Sequence, residues 1–300
     1  MRMNRFLIII IQLALIGGCK NNVTQESFTK TAERISIFEV YFKQPEAVDA
    51  FGGFLRDTLQ LPVEWEPFDI FGNGLVYDAA YYLGNTTLEL LSLSAGDSIL
   101  DVPARFNRVL FDSKNIEETS QFLQRKGLEH NPPFDFIISS AESELQIGRQ
   151  INLDSLSEHS NVFIAFWQYE NAGFNFSERS YSANNSQKLN EKLDEAFEMN
   201  PLGIMGLKEI HLTITKTAQE QWIELLGEPQ QRMWNLKEGP SISYELNEKS
   251  IGLDWISLKV RELNGAKEFL IDKQISYTLL ENGIQLDRSI VYGLSILLEE

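Results

Sequence analysis

The chain has 300 residues, 43% of them hydrophobic and 23% charged, which is enough apolar material for one large or two ordinary domains and excludes a disordered or low-complexity chain. Its 26 basic and 43 acidic side chains give a formal net charge of −17, a balance that repels phosphate backbones and leaves nucleic acid out as a partner. A single cysteine, Cys19, excludes an intramolecular disulfide and a cysteine-based zinc cluster.

The N-terminus reads as a targeting segment. Arg2 and Arg5 precede an apolar run from Phe6 to Ile16, and Ile16-Gly17-Gly18-Cys19 closes it with small residues. The run is too short to span a bilayer. This pattern resembles a bacterial lipoprotein signal with its lipobox; the alternatives are an ordinary signal peptide or a short anchor helix. The resemblance implies a signal peptide over 1–18, cleavage before Cys19, lipid attachment at that residue (the palmitate type of modification) and a membrane partner reached through the lipid. Lys20 stands where the inner-membrane retention signal has Asp, so the same resemblance implies the outer membrane of the cell envelope. Residues 19–34 are polar and lack periodicity, as a lipidated tether does.

From Ile35 onward one short pattern recurs four times. The first copy has a strand over Ile35 to Phe42, a helix from Pro45 to about Leu59 with Val48, Phe51, Leu55 and Leu59 on one face, and a loop through Phe71-Gly72-Asn73-Gly74 after Pro62 and Trp65. A hairpin follows, with strands Leu75 to Leu83 and Thr86 to Leu93 around Gly84-Asn85. The second copy has a strand from Phe106, a helix capped by Asn115 and stopped at Gly127, and strands over Phe134 to Ile138, Leu145 to Ile151 and Val162 to Tyr169. The third spans Leu207 to Thr215, a helix over Ala218 to Leu226, Gln231 to Trp234 and Ser241 to Leu246. The fourth spans Leu253 to Val260, a helix over Ala266 to Asp272, Ile275 to Leu280 and Ile290 to Leu298. Ser186 to Met199 reads as a connecting helix inside a polar linker.

A βαβββ unit repeated in pairs resembles the vicinal oxygen chelate superfamily of glyoxalases, extradiol dioxygenases and bleomycin-resistance proteins. The resemblance rests on FEVYFKQPEAVDAF and GNGLVYDAAYYLGNTTLELLSL in the first copy and on NPLGIMGLKEIHLTIT before the third. It implies an α+β fold in which four βαβββ modules pair into two cupped mixed β-sheets with helices outside. The implied domains are 35–170, a linker with helix over 171–204, and 205–300. Metal-dependent members hold a divalent ion with a first-strand His and a last-strand Glu. The first-strand position falls here on Glu39, Asn107, about Glu209 and about Trp255, and the last-strand position on Glu89, Ala165 or Phe166, Glu245 and about Leu297. None of these is a histidine.

Glu89 is the leading site residue, because an acid inside an apolar strand needs a partner, a metal or water. Glu39 and Glu89 are weak metal candidates, since two carboxylates alone make a poor site for Mg²⁺ or Mn²⁺; the bland alternative is a solvated or Lys/Arg-paired acid pair at the cup rim. Asn107 adds a neutral oxygen. Of the histidines, His130 and His159 fall in polar segments read as loops and His211 lies on a strand, with no metal-binding spacing. Trp65, Tyr77, Tyr81, Tyr82, Phe166, Trp167 and Tyr169 line a pocket or fill a core, with Tyr82 and Trp167 assigned to ligand binding.

The expectation is therefore a membrane-anchored, glyoxalase-like lipoprotein that binds a small, largely apolar ligand through Glu39, Glu89, Asn107, Tyr82 and Trp167, with no cofactor and no catalytic residue assigned. Two alternatives stay open: a divalent-metal-dependent lyase, isomerase or dioxygenase, and a structural or interaction lipoprotein of the cell envelope.

Overall fold

The computed structural model of the protein describes residues 32–70, 74, 76–93, 101–139, 144–169, 174–176, 179–181, 194, 195 and 197–300. The signal peptide, Cys19, most of the tether, the loop at Phe71-Gly72-Asn73, and the linker helix up to 193 lie outside them. Among the described residues no helix is long and apolar enough to cross a membrane.

The first module begins with β1 (Ile35–Phe42) and α1 (Pro45–Gly53), whose start uses Pro45 where a missing N–H costs nothing. The helix widens into a π-turn over Phe54–Thr58. Then come β2 (Val63–Asp69), β3 (Val76–Tyr82) and β4 (Thr87–Leu93). Strand β2, between the helix and the predicted loop, was not expected from the sequence. It contains Pro67, which argues against a central strand, but β2 is at the edge of its sheet and proline is tolerated there.

The second module contains β5 (Ala104–Asp112), α2 (Ile116–Arg125), β6 (Phe134–Ser139), β7 (Glu144–Asn152), α3 (Asp154–Ser160) and β8 (Phe163–Tyr169). Asn115 caps α2 by accepting the N–H groups of Glu117 and Glu118. His159 lies in α3 rather than in a loop. A small ribbon of β9 (Phe174–Phe176) and β10 (Arg179–Tyr181) follows.

The third module has β11 (Ile204–Ile214), α4 (Lys216–Leu226), β12 (Met233–Asn235) and β13 (Ser241–Leu246). The fourth has β14 (Gly252–Val260), α5 (Leu263–Asp272), β15 (Tyr277–Leu279), β16 (Ile284–Leu286) and β17 (Ile296–Glu299). The strand expected over Ile290 to Leu298 is only β17, since 287–295 turns over Asp287, whose carboxylate accepts from the N–H and hydroxyl of Ser289.

Modules one and two share an eight-stranded mixed sheet in the order β2-β3-β4-β1-β5-β8-β7-β6, and modules three and four a seven-stranded one in the order β12-β13-β11-β14-β17-β16-β15. In each sheet the first strands of two modules meet at the centre, β1 against β5 and β11 against β14. Both sheets curl. One apolar core joins them through their helix-bearing faces: Phe111 of β5 meets Trp222 of α4 edge-on at 6.2 Å, and Phe42 of β1 and Phe51 of α1 pack on Tyr292 at 5.5 and 6.0 Å. Burying aromatic side chains of this size supplies about 2–3 kcal/mol each.

The hairpin turn between β3 and β4 pins the two sheets together. Asn85 Nδ2 donates to Leu207 O at 2.8 Å and its Oδ1 accepts from Leu207 N at 2.9 Å, as a backbone neighbour would. Gly206 beside it has φ +145, and a Cβ there would lie 2.9 Å from Asn85 Oδ1, so the close approach requires glycine.

Candidate ligand site on the concave face of the first sheet

Strand β1 is buried along its whole length, and its period-two alternation divides it. Phe38, Val40 and Phe42 enter the main core; Ile37, Glu39 and Tyr41 face the other way. On that concave face one rung runs straight across five strands. Ala80 of β3 is opposite Glu89 of β4, Glu89 opposite Glu39 of β1, Glu39 opposite Arg108 of β5, and Arg108 opposite Phe163 of β8.

Glu39 is fully buried, and its Oε2 lies 2.9 Å from a guanidinium nitrogen of Arg108, a side chain 27% exposed. Its Oε1 accepts from Asn107 Nδ2 at 2.7 Å. Both neighbours reach it because the pairing of β1 with β5 slips between Glu39 and Val40, so that two β5 residues face one position. Arg105 donates to Asn107 Oδ1 at 3.1 Å, and the Arg108 guanidinium sits 4.7 Å over the Phe163 ring. The strand partner of Glu39 is thus Arg108, a residue the sequence reading did not single out; Asn107 is the position it assigned to the first strand of the second module. Asn107 is at the bulge and serves as second donor.

Beyond Glu39 the face becomes acidic. Asp78, 4% exposed, is opposite Leu91 and so lies diagonally across from Glu89; Glu64, 7% exposed, accepts from Thr87 Oγ1 at 2.8 Å. Burial, then the Glu39 charge, push the Glu89 carboxyl up to about 7, while Arg108 and a hydrogen bond with Asp78 pull the other way. Asp78 is raised well above the usual carboxylate range by burial and then by Glu89, opposed by the Trp65 indole and Arg108. Neighbouring buried carboxyls of this kind favour the protonated form of one another. Asp78 Oδ1 and Glu89 Oε2 are buried and take no hydrogen bond.

The other end of the face is apolar. Ile37, Leu110, Ala165 and Trp167 form a cluster apart from the main core, flanked by Phe136, Ile147 and Phe163. Trp167 is edge-on to Phe136 at 5.4 Å, and its buried indole N–H takes no hydrogen bond. It lies over Gly148, where any Cβ would meet the indole.

Glu39, Glu89, Asn107 and Trp167 therefore share this face. Tyr82, assigned to the same site, is at the end of β3, where its ring packs edge-on against Phe197 at 5.6 Å and its hydroxyl donates to Asp194; that contact with the linker covers it. Tyr81 and Phe166 belong to the main core, Tyr77 donates to Asp49 at 3.0 Å, and Tyr169 is exposed. Sequence reasoning missed Arg108, Asp78 and Glu64. The signal that singled out Glu89, an acid inside an apolar strand, was equally present at Asp78.

The matching face of the second sheet is a hydrogen-bonded polar row. Ser243 Oγ donates to Glu209 and bonds His211 Nδ1 at 2.8 Å, and the His211 ring stacks on Trp255 at 4.8 Å. Thr213 bonds both Glu245 and Asp254. Leu297 adds no ligand atom.

No family model matches the chain, and no curated protein does. Solved structures do. A hypothetical protein from Staphylococcus aureus superposes with a TM-score of 0.56 at 11% identity, over 89% of this chain and 98% of the other. A variant of homoprotocatechuate 2,3-dioxygenase from B. fuscum gives 0.55 at 11% identity, over 93% and 74%. A Mn(II)-bound glyoxalase from Novosphingobium aromaticivorans gives 0.54 at 9% identity, over 89% and 82%.

The chain has the vicinal oxygen chelate fold. At these identities the likeness concerns the fold alone. Among the described residues of the first sheet no donor set matches the metal that the glyoxalase carries. Among the described residues no three His, Cys, Asp or Glu side chains are grouped to hold an ion, and the Arg108 guanidinium stands beside Glu39.

Proposed function

We propose that this protein is a lipid-anchored small-molecule binding protein of the cell envelope whose ligand site is the concave face of the first sheet. The observation that carries the reading is the Glu39–Arg108 pair, which puts a permanent internal cation beside the central carboxylate and so favours binding without metal chemistry. The ligand is largely apolar: its body rests on Ile37, Leu110 and Trp167, and its polar end meets Glu39, Asn107 and Glu89. The anchor is Cys19, following Ile16-Gly17-Gly18, and the membrane is the outer one, with Lys20 next to the cysteine.

Native mass spectrometry of the full-length protein released from membranes in detergent tests the reading. A small molecule should co-purify with the wild type and be lost from a variant carrying Glu39→Gln with Arg108→Met. Stoichiometric Mn²⁺ or Fe²⁺ that Glu89→Gln abolishes would instead establish the metal-dependent enzyme. Cys19→Ala should move the protein out of the membrane fraction, and retention there would refute the anchor.

A further inference from the structure

We propose that the acidic half of this face takes a small organic cation, an amine whose ammonium group is seated between Glu89 and Asp78. The inference rests on the small-molecule reading above and adds the chemical class of the ligand. The charge count leads to it. Among the described residues the buried ionisable side chains that are charged at neutral pH in water are Glu39, Glu64 and Asp78, all acids and all on this one module. With Glu89 they make four carboxyls against two nearby cations, Arg108 and Arg105.

Those cations are already engaged. Arg108 is paired with Glu39, Arg105 is tied to the Asn107 that also serves Glu39, and Glu64 has the Thr87 hydroxyl. Asp78 and Glu89 are the surplus pair. Each leaves a buried oxygen, Asp78 Oδ1 and Glu89 Oε2, with no donor, which native interiors rarely tolerate. Their surroundings raise both carboxyls, so the pair holds a proton for want of a cation.

An ammonium group offers three donors and one positive charge. On entry it displaces that proton, which leaves to solvent, and the pair becomes ionised against it. Glu89 as a residue is partly exposed, whereas its Oε2 is buried.

The test is isothermal titration calorimetry on the full-length protein in detergent with three probes of similar body and different charge: phenethylamine, phenethyl alcohol and phenylacetate. Phenethylamine should bind at least about tenfold more tightly than the other two, more tightly at about pH 8 than at about pH 6, and with proton release seen as a dependence of the heat on buffer ionisation. Glu89→Gln should remove the preference, while Glu209→Gln on the second sheet should not. Because the charge series is read on the wild type, a variant that fails to fold does not spoil it. Equal or tighter binding of the alcohol or the carboxylate would overturn the cation assignment and leave the small-molecule reading standing. Binding of no probe would overturn the cation assignment alone, whereas stoichiometric binding of Mn²⁺ alone would overturn both.

Discussion

Glu39 on β1 and Glu89 on β4 stand directly opposite each other on parallel strands, yet Arg108 pairs with Glu39. That asymmetry makes one carboxylate structural and leaves the other to titrate. Opposed like charges on neighbouring strands destabilise a sheet unless one is neutralised.

Removing the cation alone should be costly. Arg108→Met would strand a fully buried carboxylate and should lower the unfolding free energy by about 3–5 kcal/mol in urea denaturation. Adding Glu39→Gln should restore most of the loss, since Asn107 can still donate to the amide oxygen. Equal losses in the single and double variants would mean that Arg108 acts through packing on Phe163 rather than through charge.

Glu89 predicts a pH dependence of defined sign. Its folded pKa, about 7, lies above the ordinary value of 4.5, so the folded state holds the proton more tightly than the unfolded chain. Its contribution is fully present below about pH 4.5 and is lost as pH rises through 7. The shift corresponds to at most ~3 kcal/mol. Glu89→Gln should therefore gain stability relative to wild type as pH is raised from 5 to about 8. A difference that does not change with pH would show that Glu89 does not titrate in this range.

Gly148→Ala should displace Trp167. The added Cβ would lie 2.6 Å from the indole Cε2 and 2.8 Å from Gln168 O, and neither a packed ring nor a strand carbonyl can yield cheaply. A loss of about 1–3 kcal/mol and a red-shifted tryptophan emission are expected. An unshifted spectrum at full stability would mean that the indole is not held over Gly148.

Trp222→Ala should weaken both sheets together. The indole is fully buried, donates to Ser160 Oγ at 3.1 Å across the inter-sheet core, and packs on Trp234 at 5.8 Å. A cost of about 3–5 kcal/mol in a single cooperative transition is expected. Two separated transitions in the variant would show that the sheets unfold independently.

Local signals made much of the architecture legible. Pro45 and Asn115 marked helix starts because the first turn has unpaired N–H groups, and Gly84-Asn85 marked the hairpin. Strand β2 escaped because Pro67 is compatible with a strand only at a sheet edge, and edge position is a fact of assembly.

By itself the sequence determined the four-fold recurrence of a strand–helix–strand pattern and the acidic balance, since these follow from periodicity and composition along the chain, while the α+β class and the first- and last-strand carboxylate positions came with the family resemblance that the pattern carries. Only the tertiary structure decided that modules one and two share a sheet, that a bulge brings Arg108 as well as Asn107 to Glu39, and that Asp78 stands diagonally across from Glu89. The reason is strand register: it sets which side chains meet across a sheet, and residues far apart in the chain, such as Asn107 and Glu39 at 68 positions, come within hydrogen-bonding distance through pairings that no local pattern records.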